Sequence, residues 1–220
     1  MLKMLKSIIR WVLKRMGYQL SQIKYCQVIR RDVEIPYKDA IPLKREHIQN
    51  CKLVTSREEL LNYMPKKSIC AEVGVMKGDF SAKILSAIDP VQLHLIDIVA
   101  SKMDKVKERF SEKIGTQVFL HYGDSFAELM KFQNGFFDWI YIDANHTYDY
   151  VAKDLEMSRL KVKDKGLIVL NDYIFYDHCL HSKYGVVEAV NEFCNKHNYE
   201  ILFFALEVQM FNDVVLSKIR

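Results

Sequence analysis

Four polar residues at two predicted strand ends are the side chains best suited to chemistry. Asp143 ends an apolar stretch, His146 follows in the next loop, and Asn171 and Asp172 end a second apolar stretch. Because the carboxyl ends of neighbouring parallel strands meet at one edge of a sheet, we expect these side chains to lie together. Their oxygens suit a hard divalent cation such as Mg²⁺, and a histidine is a natural general base. Taken singly, Asn171–Asp172 is also typical of a turn and His146 of an ordinary loop, but the coincidence of all four favours a site.

An acid and two glycines mark the end of the first predicted strand. The segment 71–81 reads AEVGVMKGDFS and contains Glu72, Gly74 and Gly78. The Gly-x-Gly-x-x-Gly pattern of dinucleotide-binding folds is absent, because Met76 stands at its second glycine position. The loop therefore has less room for a pyrophosphate, and the carboxylate of Glu72 favours a ligand with a positive centre. A plain tight turn between strand and helix is the alternative.

Two further strand ends carry acids that could bind a nucleoside. Asp97 lies 23 residues after Gly74, a spacing that suits hydrogen bonds to a ribose diol. Asp124 could accept from an adenine amino group, while Ser125 could cap the helix that starts there. Simple helix capping is the competing explanation for all three residues.

The pattern from Ile69 onward predicts the elements that would position these residues. Short apolar runs alternate with amphipathic helical stretches, which predicts an α/β fold with a Rossmann-like, doubly wound and mostly parallel sheet. The last two strands leave no room for a helix between them, so we expect them to be antiparallel. The predicted strands are 69–74, 92–98, 117–122, 137–143, 166–171, 200–207 and 210–217, and the predicted helices lie near 79–88, 102–114, 125–132, 148–161 and 185–197.

The first 54 residues are predicted to be an extension of a domain that spans 55–220. Apolar residues recur at helical spacing over residues 2–16, and the opposite face of this predicted helix is basic. Two interpretations are open for such a helix. It packs on its own domain or on a second subunit, or it binds an anionic membrane surface or another partner. Residues 18–54 predict a connector, and the capping box Ser56–Glu59 predicts a short helix.

The charge distribution and the cysteine content indicate which partners and which cellular compartment to expect. The net charge is +4, yet residues 1–31 hold eight Lys or Arg and no acid, which leaves the remainder at −4. This balance does not indicate a nucleic-acid partner. Five cysteines without a Cys-x-x-Cys pair favour a reducing cytoplasm, and no apolar run approaches the roughly 20 residues that span a bilayer. We therefore expect a cytoplasmic protein, with a peripheral membrane contact only through residues 2–16.

With these residues in place, the sequence resembles the class I S-adenosylmethionine-dependent methyltransferases, and among them the macrocin-type and catechol-type O-methyltransferases. The similar segments are AEVGVMKGDFS, YIDANHTYDYVAKDL, GLIVLNDY and YGVVEAVNEF, within residues 69–197. The resemblance implies a seven-stranded sheet with an antiparallel last strand. Asn171 departs from the two acids usual in macrocin-type relatives, and Ala144 stands where a glycine is common.

The resemblance also implies a role for each candidate residue. Asp143, Asn171 and Asp172 would hold Mg²⁺ or another divalent cation, and His146 with Asp143 would be catalytic. The cofactor S-adenosylmethionine would be bound by Glu72, Gly74, Gly78 and Ser81 around its methionine part, by Asp97 at the ribose, by Asp124 and Ser125 at the adenine, and by Asp143.

The expected reaction is methylation of a hydroxyl on a sugar, glycan or small natural product, with metal assistance. The alternatives are a metal-independent small-molecule methyltransferase and a catalytically silent protein that binds the cofactor. A nucleic-acid substrate is not expected, because the Asn/Asp-Pro-Pro-aromatic motif for a flipped base is missing. We also expect a homo-oligomer.

Overall fold

The fold centres on one mixed β-sheet with helices on both faces. The computed structural model describes residues 40–220; the predicted helix at residues 2–16 lies outside this range. The strands are β1 (Lys52–Val54), β2 (Ile69–Val73), β3 (Gln92–Asp97), β4 (Val118–Tyr122), β5 (Phe137–Ile142), β6 (Val162–Leu170), β7 (Tyr176–Asp177), β8 (Ser182–Lys183), β9 (Tyr199–Ala205) and β10 (Asp213–Lys218). The helices are α1 (Arg57–Leu60), α2 (Asp79–Ile88), α3 (Ala100–Arg109), α4 (Ser125–Met130), α5 (Tyr148–Lys161) and α6 (Val186–His197), and Arg45–His47 forms a 3-10 turn.

The strand order places the predicted site strands side by side. The main sheet runs β1-β9-β10-β6-β5-β2-β3-β4, and β7 pairs with β8 in a separate hairpin. Strands β2 to β6 are parallel to one another, whereas β10 is antiparallel to both β6 and β9. Strand order therefore reverses beside β2, and the carboxyl ends of β2 and β5 are adjacent, as in other doubly wound folds whose ligands bind at that edge.

Two apolar layers hold the helices to the sheet. Helices α1, α2 and α3 pack on one face through residues such as Leu60, Ile84 and Met103. Helices α4, α5 and α6 pack on the other through residues such as Leu129 and Leu155. Because both faces are covered, the central strands are buried along nearly their whole length, which explains their unbroken apolar runs in the sequence.

The main sheet has eight strands in residues 40–220, not the expected seven. The additional strand is β1, which pairs parallel to β9 at the edge of the sheet. Its three residues are too few to show an alternating pattern, so residues 18–54 gave no strand signal. The remaining strands and the antiparallel last strand lie where the sequence predicts them, within a few residues. No helix in the described range has the length and apolar character needed to span a bilayer.

Candidate active site

A cavity of about 550 Å³ opens at the carboxyl ends of β2 to β5. Of the residues predicted from sequence to form a site, six line it: Gly74, Asp97, Asp124, Ser125, Asp143 and His146. Glu72, Gly78, Ser81, Asn171 and Asp172 do not line it and lie behind or beside its wall. The far side of the cavity is formed by Thr147, Tyr150 and the residues Ser182–Tyr184.

Gly74 brings the ends of β2 and β5 into backbone contact. Its φ of +88° lies in the left-handed region, and a Cβ added there would stand 1.9 Å from the carbonyl oxygen of Asp143. The Asp143 N–H in turn donates to the Val73 carbonyl at 2.7 Å. A glycine is therefore needed for conformation and for space, and the loop and the Asp143 backbone form one unit.

The conformation of the glycine loop is stabilised by hydrogen bonds to the side chain of Asp97. Asp97 Oδ2 accepts from the Val75 and Met76 backbone N–H groups at 3.0 and 3.1 Å, and its Oδ1 accepts from Val99 N–H at 2.8 Å. The residue predicted to bind a ribose thus also fixes the shape of the loop. Gly78 begins α2 with a φ of +74°.

Glu72 and Ser81 form a buried pair beneath this loop. The Ser81 hydroxyl donates to Glu72 Oε2, and both side chains are buried. Burial raises the pKa of Glu72 to about 8, opposed by the hydrogen bond from Ser81 and the charge of Arg57. In this arrangement Glu72 and Ser81 support the loop from behind the cavity wall.

At the predicted adenine position, the helix cap is not the residue that the sequence suggested. Asp124, not Ser125, caps α4, because Asp124 Oδ1 accepts from Ala127 N–H at 3.1 Å. The expectation that Ser125 caps the helix is therefore wrong: Ser125 is already the first helical residue. Its hydroxyl instead donates to Asp154 Oδ1 on α5 at 2.6 Å.

Asp143, His146 and Asp172 come together at the ends of β5 and β6. His146 Nε2 lies 3.6 Å from Asp143 Oδ1 and 3.6 Å from Asp172 Oδ2, and no hydrogen-bond partner for this buried nitrogen is present in residues 40–220. The imidazole stacks on the Tyr184 ring, with centroids 4.5 Å apart and planes at 12°. Burial lowers the pKa of His146, which favours the neutral form that can accept a proton.

Asn171 is turned toward a residue that the sequence analysis missed. Its Nδ2 donates to Asp213 Oδ1 at 2.9 Å, and Tyr141 O–H donates to Asp213 Oδ2 at 2.7 Å. Within residues 40–220, no group of three or more His, Cys, Asp or Glu side chains has an arrangement suited to a metal ion. The proposed cation would therefore depend on the Asn171 amide oxygen or on non-protein ligands.

Arg57, also missed, faces this acidic cluster from α1. Its Nη1 lies 3.9 Å from Asp143 Oδ2 and 3.4 Å from Tyr141 Oη, and its guanidinium lies over the Phe80 ring at 4.9 Å. The capping box at Ser56 predicted the helix that carries Arg57, but not the partner of its side chain. The sequence holds no local signal for that contact, since Arg57 and Tyr141 are 84 positions apart.

The acids of this cluster are held where the charged form is disfavoured. Burial, assisted by Asp172 and Asp213, raises the pKa of Asp143 well above its usual range, although Arg57 opposes the rise. Burial likewise raises the pKa of Asp172 to about 6 and that of Asp213 to about 7. Among the described residues, the site therefore holds more acidic groups than cations, which favours a cationic ligand.

Comparison with known proteins places this site in context. Residues 71–173 match the family described as "Methyltransferase domain". The sequence matches none of the curated proteins with which it was compared. The matched segment holds the glycine loop, Asp97, Asp124, Asp143, His146 and Asp172, so it includes most of the cavity wall.

Solved structures share the fold at low sequence identity. A ribosomal protein L11 methylase from Lactobacillus delbrueckii subsp. bulgaricus has a TM-score of 0.56 at 15% identity over 74% of this chain and 77% of that one. A candidate rRNA-methylase from Clostridium thermocellum has a TM-score of 0.59 at 13% identity, and the match covers 77% of this chain and 98% of that one. A precorrin-6y C5,15-methyltransferase from Geobacter metallireducens GS-15 has a TM-score of 0.55 at 14% identity, and the match covers 73% of this chain and 85% of that one. The match covers as little as 44% of another neighbour, so what is shared is the domain fold.

Proposed function

We propose that this chain, a class I S-adenosylmethionine-dependent methyltransferase whose residues 71–173 match the methyltransferase domain family, methylates a hydroxyl oxygen of a sugar, glycan or small natural product. The observation that supports oxygen as the acceptor is the position of His146. A buried imidazole nitrogen for which residues 40–220 offer no hydrogen-bond partner lies beside two carboxylates at the cavity wall. A hydroxyl must lose its proton to attack a methyl group, and a positioned imidazole can take it.

The residues around His146 hold it ready for that proton. The Tyr184 ring fixes the plane of the imidazole by stacking, and Gly185 N–H donates to the His146 carbonyl at 2.7 Å. Asp143 and Asp172 would stabilise the imidazolium once it forms, since both carboxylates lie 3.6 Å from Nε2. The bound S-adenosylmethionine supplies an activated methyl group on a sulfonium, so the protein has only to orient the acceptor, exclude water and remove a proton.

We further propose that Asp143, Asn171 and Asp172 hold a divalent cation. One finding fits this donor set: burial and the neighbouring acids Asp172 and Asp213 raise the pKa of Asp143, so a bound cation would stabilise its carboxylate. The hydrogen bond from Asn171 Nδ2 to Asp213 fixes the orientation of the amide, whose oxygen would be the atom that binds the metal. Carboxylate and amide oxygens are the ligands that Mg²⁺ prefers. When bound there, the cation would lower the pKa of an acceptor hydroxyl. The alternative is a metal-independent enzyme in which Arg57 alone balances Asp143.

The proposal is tested by variants that keep shape and change chemistry. We expect His146→Gln to lower the rate of S-adenosylhomocysteine formation by about 10²–10⁴-fold with a panel of sugar and catechol acceptors, while the Kd for S-adenosylhomocysteine changes little. Asp149→Asn, at an exposed position on α5, is the matched control and should keep wild-type activity. Methyl transfer to nitrogen or carbon acceptors only, or full activity of His146→Gln, would contradict the proposal.

Metal binding is measured separately from turnover. We expect Mn²⁺, used as a spectroscopic probe in place of Mg²⁺, to bind the wild-type chain and to be displaced by Mg²⁺. Asp172→Asn should weaken Mn²⁺ binding by at least about tenfold, because it removes one carboxylate ligand. Activity that survives chelation, together with unchanged Mn²⁺ binding by Asp172→Asn, would favour the metal-independent alternative.

A further inference from the structure

Asp154 is a buried acid that the proposed chemistry does not use. Its side chain is 1% exposed on α5, and its only hydrogen bond in the described residues is the one that Oδ1 accepts from the Ser125 hydroxyl at 2.6 Å. Oδ2 is buried and has no partner there. Burying a carboxyl group with one hydrogen bond is costly, so its presence calls for an explanation beyond packing.

The hydrogen bond from Ser125 to Asp154 determines whether the Ser125 hydroxyl, on the cavity wall, donates to or accepts from a ligand. A serine hydroxyl has one hydrogen to donate and two lone pairs that accept. Because the hydrogen is directed to Asp154, Ser125 Oγ can only accept from a ligand in the cavity. Asp124 stands beside it with its own orientation fixed by the cap on α4. This part of the wall therefore presents acceptors in fixed directions.

We propose that Asp154 is a positioning residue that makes the site selective for a base with an exocyclic amino group. By holding the Ser125 hydroxyl as an acceptor, it favours adenine, whose amino group donates, over a 6-keto purine, whose oxygen must accept. This inference rests on the proposed placement of the adenine at Asp124 and Ser125. It does not depend on the identity of the methyl acceptor or on a metal.

The test compares two ligands that differ at that one group. Binding of S-adenosylhomocysteine and of its deaminated analogue S-inosylhomocysteine is measured by calorimetry on the full chain, and the ratio of the two Kd values is the readout. We expect the wild type to prefer the adenine ligand by at least about tenfold. Asp154→Ala should lose most of that preference, because the Ser125 hydroxyl is then free to turn and donate to the keto oxygen.

Further variants separate positioning from general damage to the structure. Asp154→Asn retains an oxygen that can accept from Ser125, so it should restore the preference. Ser125→Ala should lower the preference as Asp154→Ala does, and the double variant should lose no more. Ser158→Ala is the matched control and should keep the wild-type ratio. Ser158 lies one turn further along α5, is also buried, and its hydroxyl has no hydrogen-bond partner within the described part of the chain.

The outcomes distinguish this inference from the proposed reaction. An unchanged ratio in Ser125→Ala, or in a folded Asp154→Ala, overturns the role of Asp154 while leaving methyl transfer to oxygen intact. Failure of the wild type to bind S-adenosylhomocysteine overturns the adenine placement and this inference with it. Failure to methylate hydroxyl groups, with the ratio behaving as expected, contradicts only the proposed reaction.

Discussion

Gly74 is the residue on which the contact between the glycine loop and Asp143 depends. The lack of a side chain there lets the carbonyl of Asp143 approach, and the backbone conformation is one that residues with a Cβ avoid. Position 74 therefore affects both the loop predicted to bind the cofactor and the backbone of Asp143, the proposed catalytic acid. The sequence pattern suggested a tight turn; only the structure shows which backbone lies against it.

We expect Gly74→Ala to lower stability and to weaken S-adenosylhomocysteine binding by more than about tenfold, because the Asp143 backbone must move. Gly115→Ala is the matched control: its φ of +79° imposes a similar conformational cost of about 1 kcal/mol, but no atom of residues 40–220 lies within 4 Å of the added Cβ. Thermal unfolding and calorimetric titration measure both effects. Equal behaviour of the two variants would show that conformation, and not the close approach, limits position 74.

Glu72 predicts a pH-dependent stability with an unusual sign. Its pKa is about 8 in the folded chain, against an ordinary value of 4.5. Between these values the folded state holds a proton that the unfolded state releases, so a rise in pH favours unfolding. The stabilisation is complete below the unfolded pKa and is lost as the pH rises through the folded pKa. Glu72→Gln, which stays neutral, should remove this dependence.

The measurement is urea unfolding of wild type and Glu72→Gln from pH 5 to pH 8. The free energy of unfolding of Glu72→Gln minus that of the wild type should increase with pH. The increase should be at most about 1.4 kcal/mol per pH unit, which is the value for one proton. Glu112→Gln, at an exposed position, controls for the loss of one charge. A difference between Glu72→Gln and wild type that does not vary with pH would refute the prediction.

How far the sequence predicts single site residues depends on how locally they are encoded. Asp143, His146 and Asp172 follow predicted strands, so the rule that parallel strand ends meet was enough to expect them together. Arg57, Tyr141 and Asp213 join the cluster through contacts between residues 72 and 84 positions apart. No spacing rule covers such contacts, because they depend on which way each buried strand faces and on where β10 enters the sheet.

At the scale of elements, β10 connects the site to the centre of the sheet. It lies between β6 and β9, and Asp213, its first residue, accepts from Tyr141 on β5 and from Asn171 after β6. The antiparallel last strand was predictable, since the short connection to β9 excludes a helix. The polar link at its first residue was not, because a lone aspartate before an apolar run is equally typical of a loop.

We expect Asp213→Ala to destabilise the chain by about 2–4 kcal/mol, because it leaves the buried Tyr141 hydroxyl and Asn171 amide without their acceptor. Asp213→Asn keeps one acceptor oxygen and the same shape, so its loss should be smaller. Urea unfolding measures both, and Mn²⁺ binding reports whether Asn171 has moved. If the alanine variant is as stable as the wild type, the unfavourable free energy of burying the Asp213 carboxyl equals the stabilisation from its two hydrogen bonds.

At the scale of the whole molecule, charge divides the sequence into a basic beginning and a mildly acidic remainder. The predicted helix of residues 2–16 lies outside the described part of the chain, so its partner stays a prediction. The doubly wound architecture was predictable because alternation of strand and helix is encoded along the whole chain. The edge strand β1 was not, because its partner β9 lies about 150 positions away.

We expect Ile9→Asp in the full-length chain to disrupt self-association, because it places a charge in the apolar stripe of the predicted helix. Sedimentation equilibrium should show an oligomer for the wild type and a smaller species for the variant. Lys6→Glu changes charge on the predicted polar face and is the control. An unchanged mass, with salt-sensitive binding of the wild type to vesicles of phosphatidylcholine and phosphatidylglycerol, would instead support the membrane alternative.

The position of β10 has a consequence for synthesis of the protein. During translation β6 and β9 leave the ribosome before β10, yet they become neighbours in the sheet only through it. Until β10 emerges, the sheet of the nascent chain has an open gap, and the facing edges of β6 and β9 are unpaired and exposed to chaperones. Asp213 lies at the start of β10 and accepts from Tyr141 and Asn171. The acidic cluster around Asp143 is therefore complete only after β10 has joined strands that were made before it.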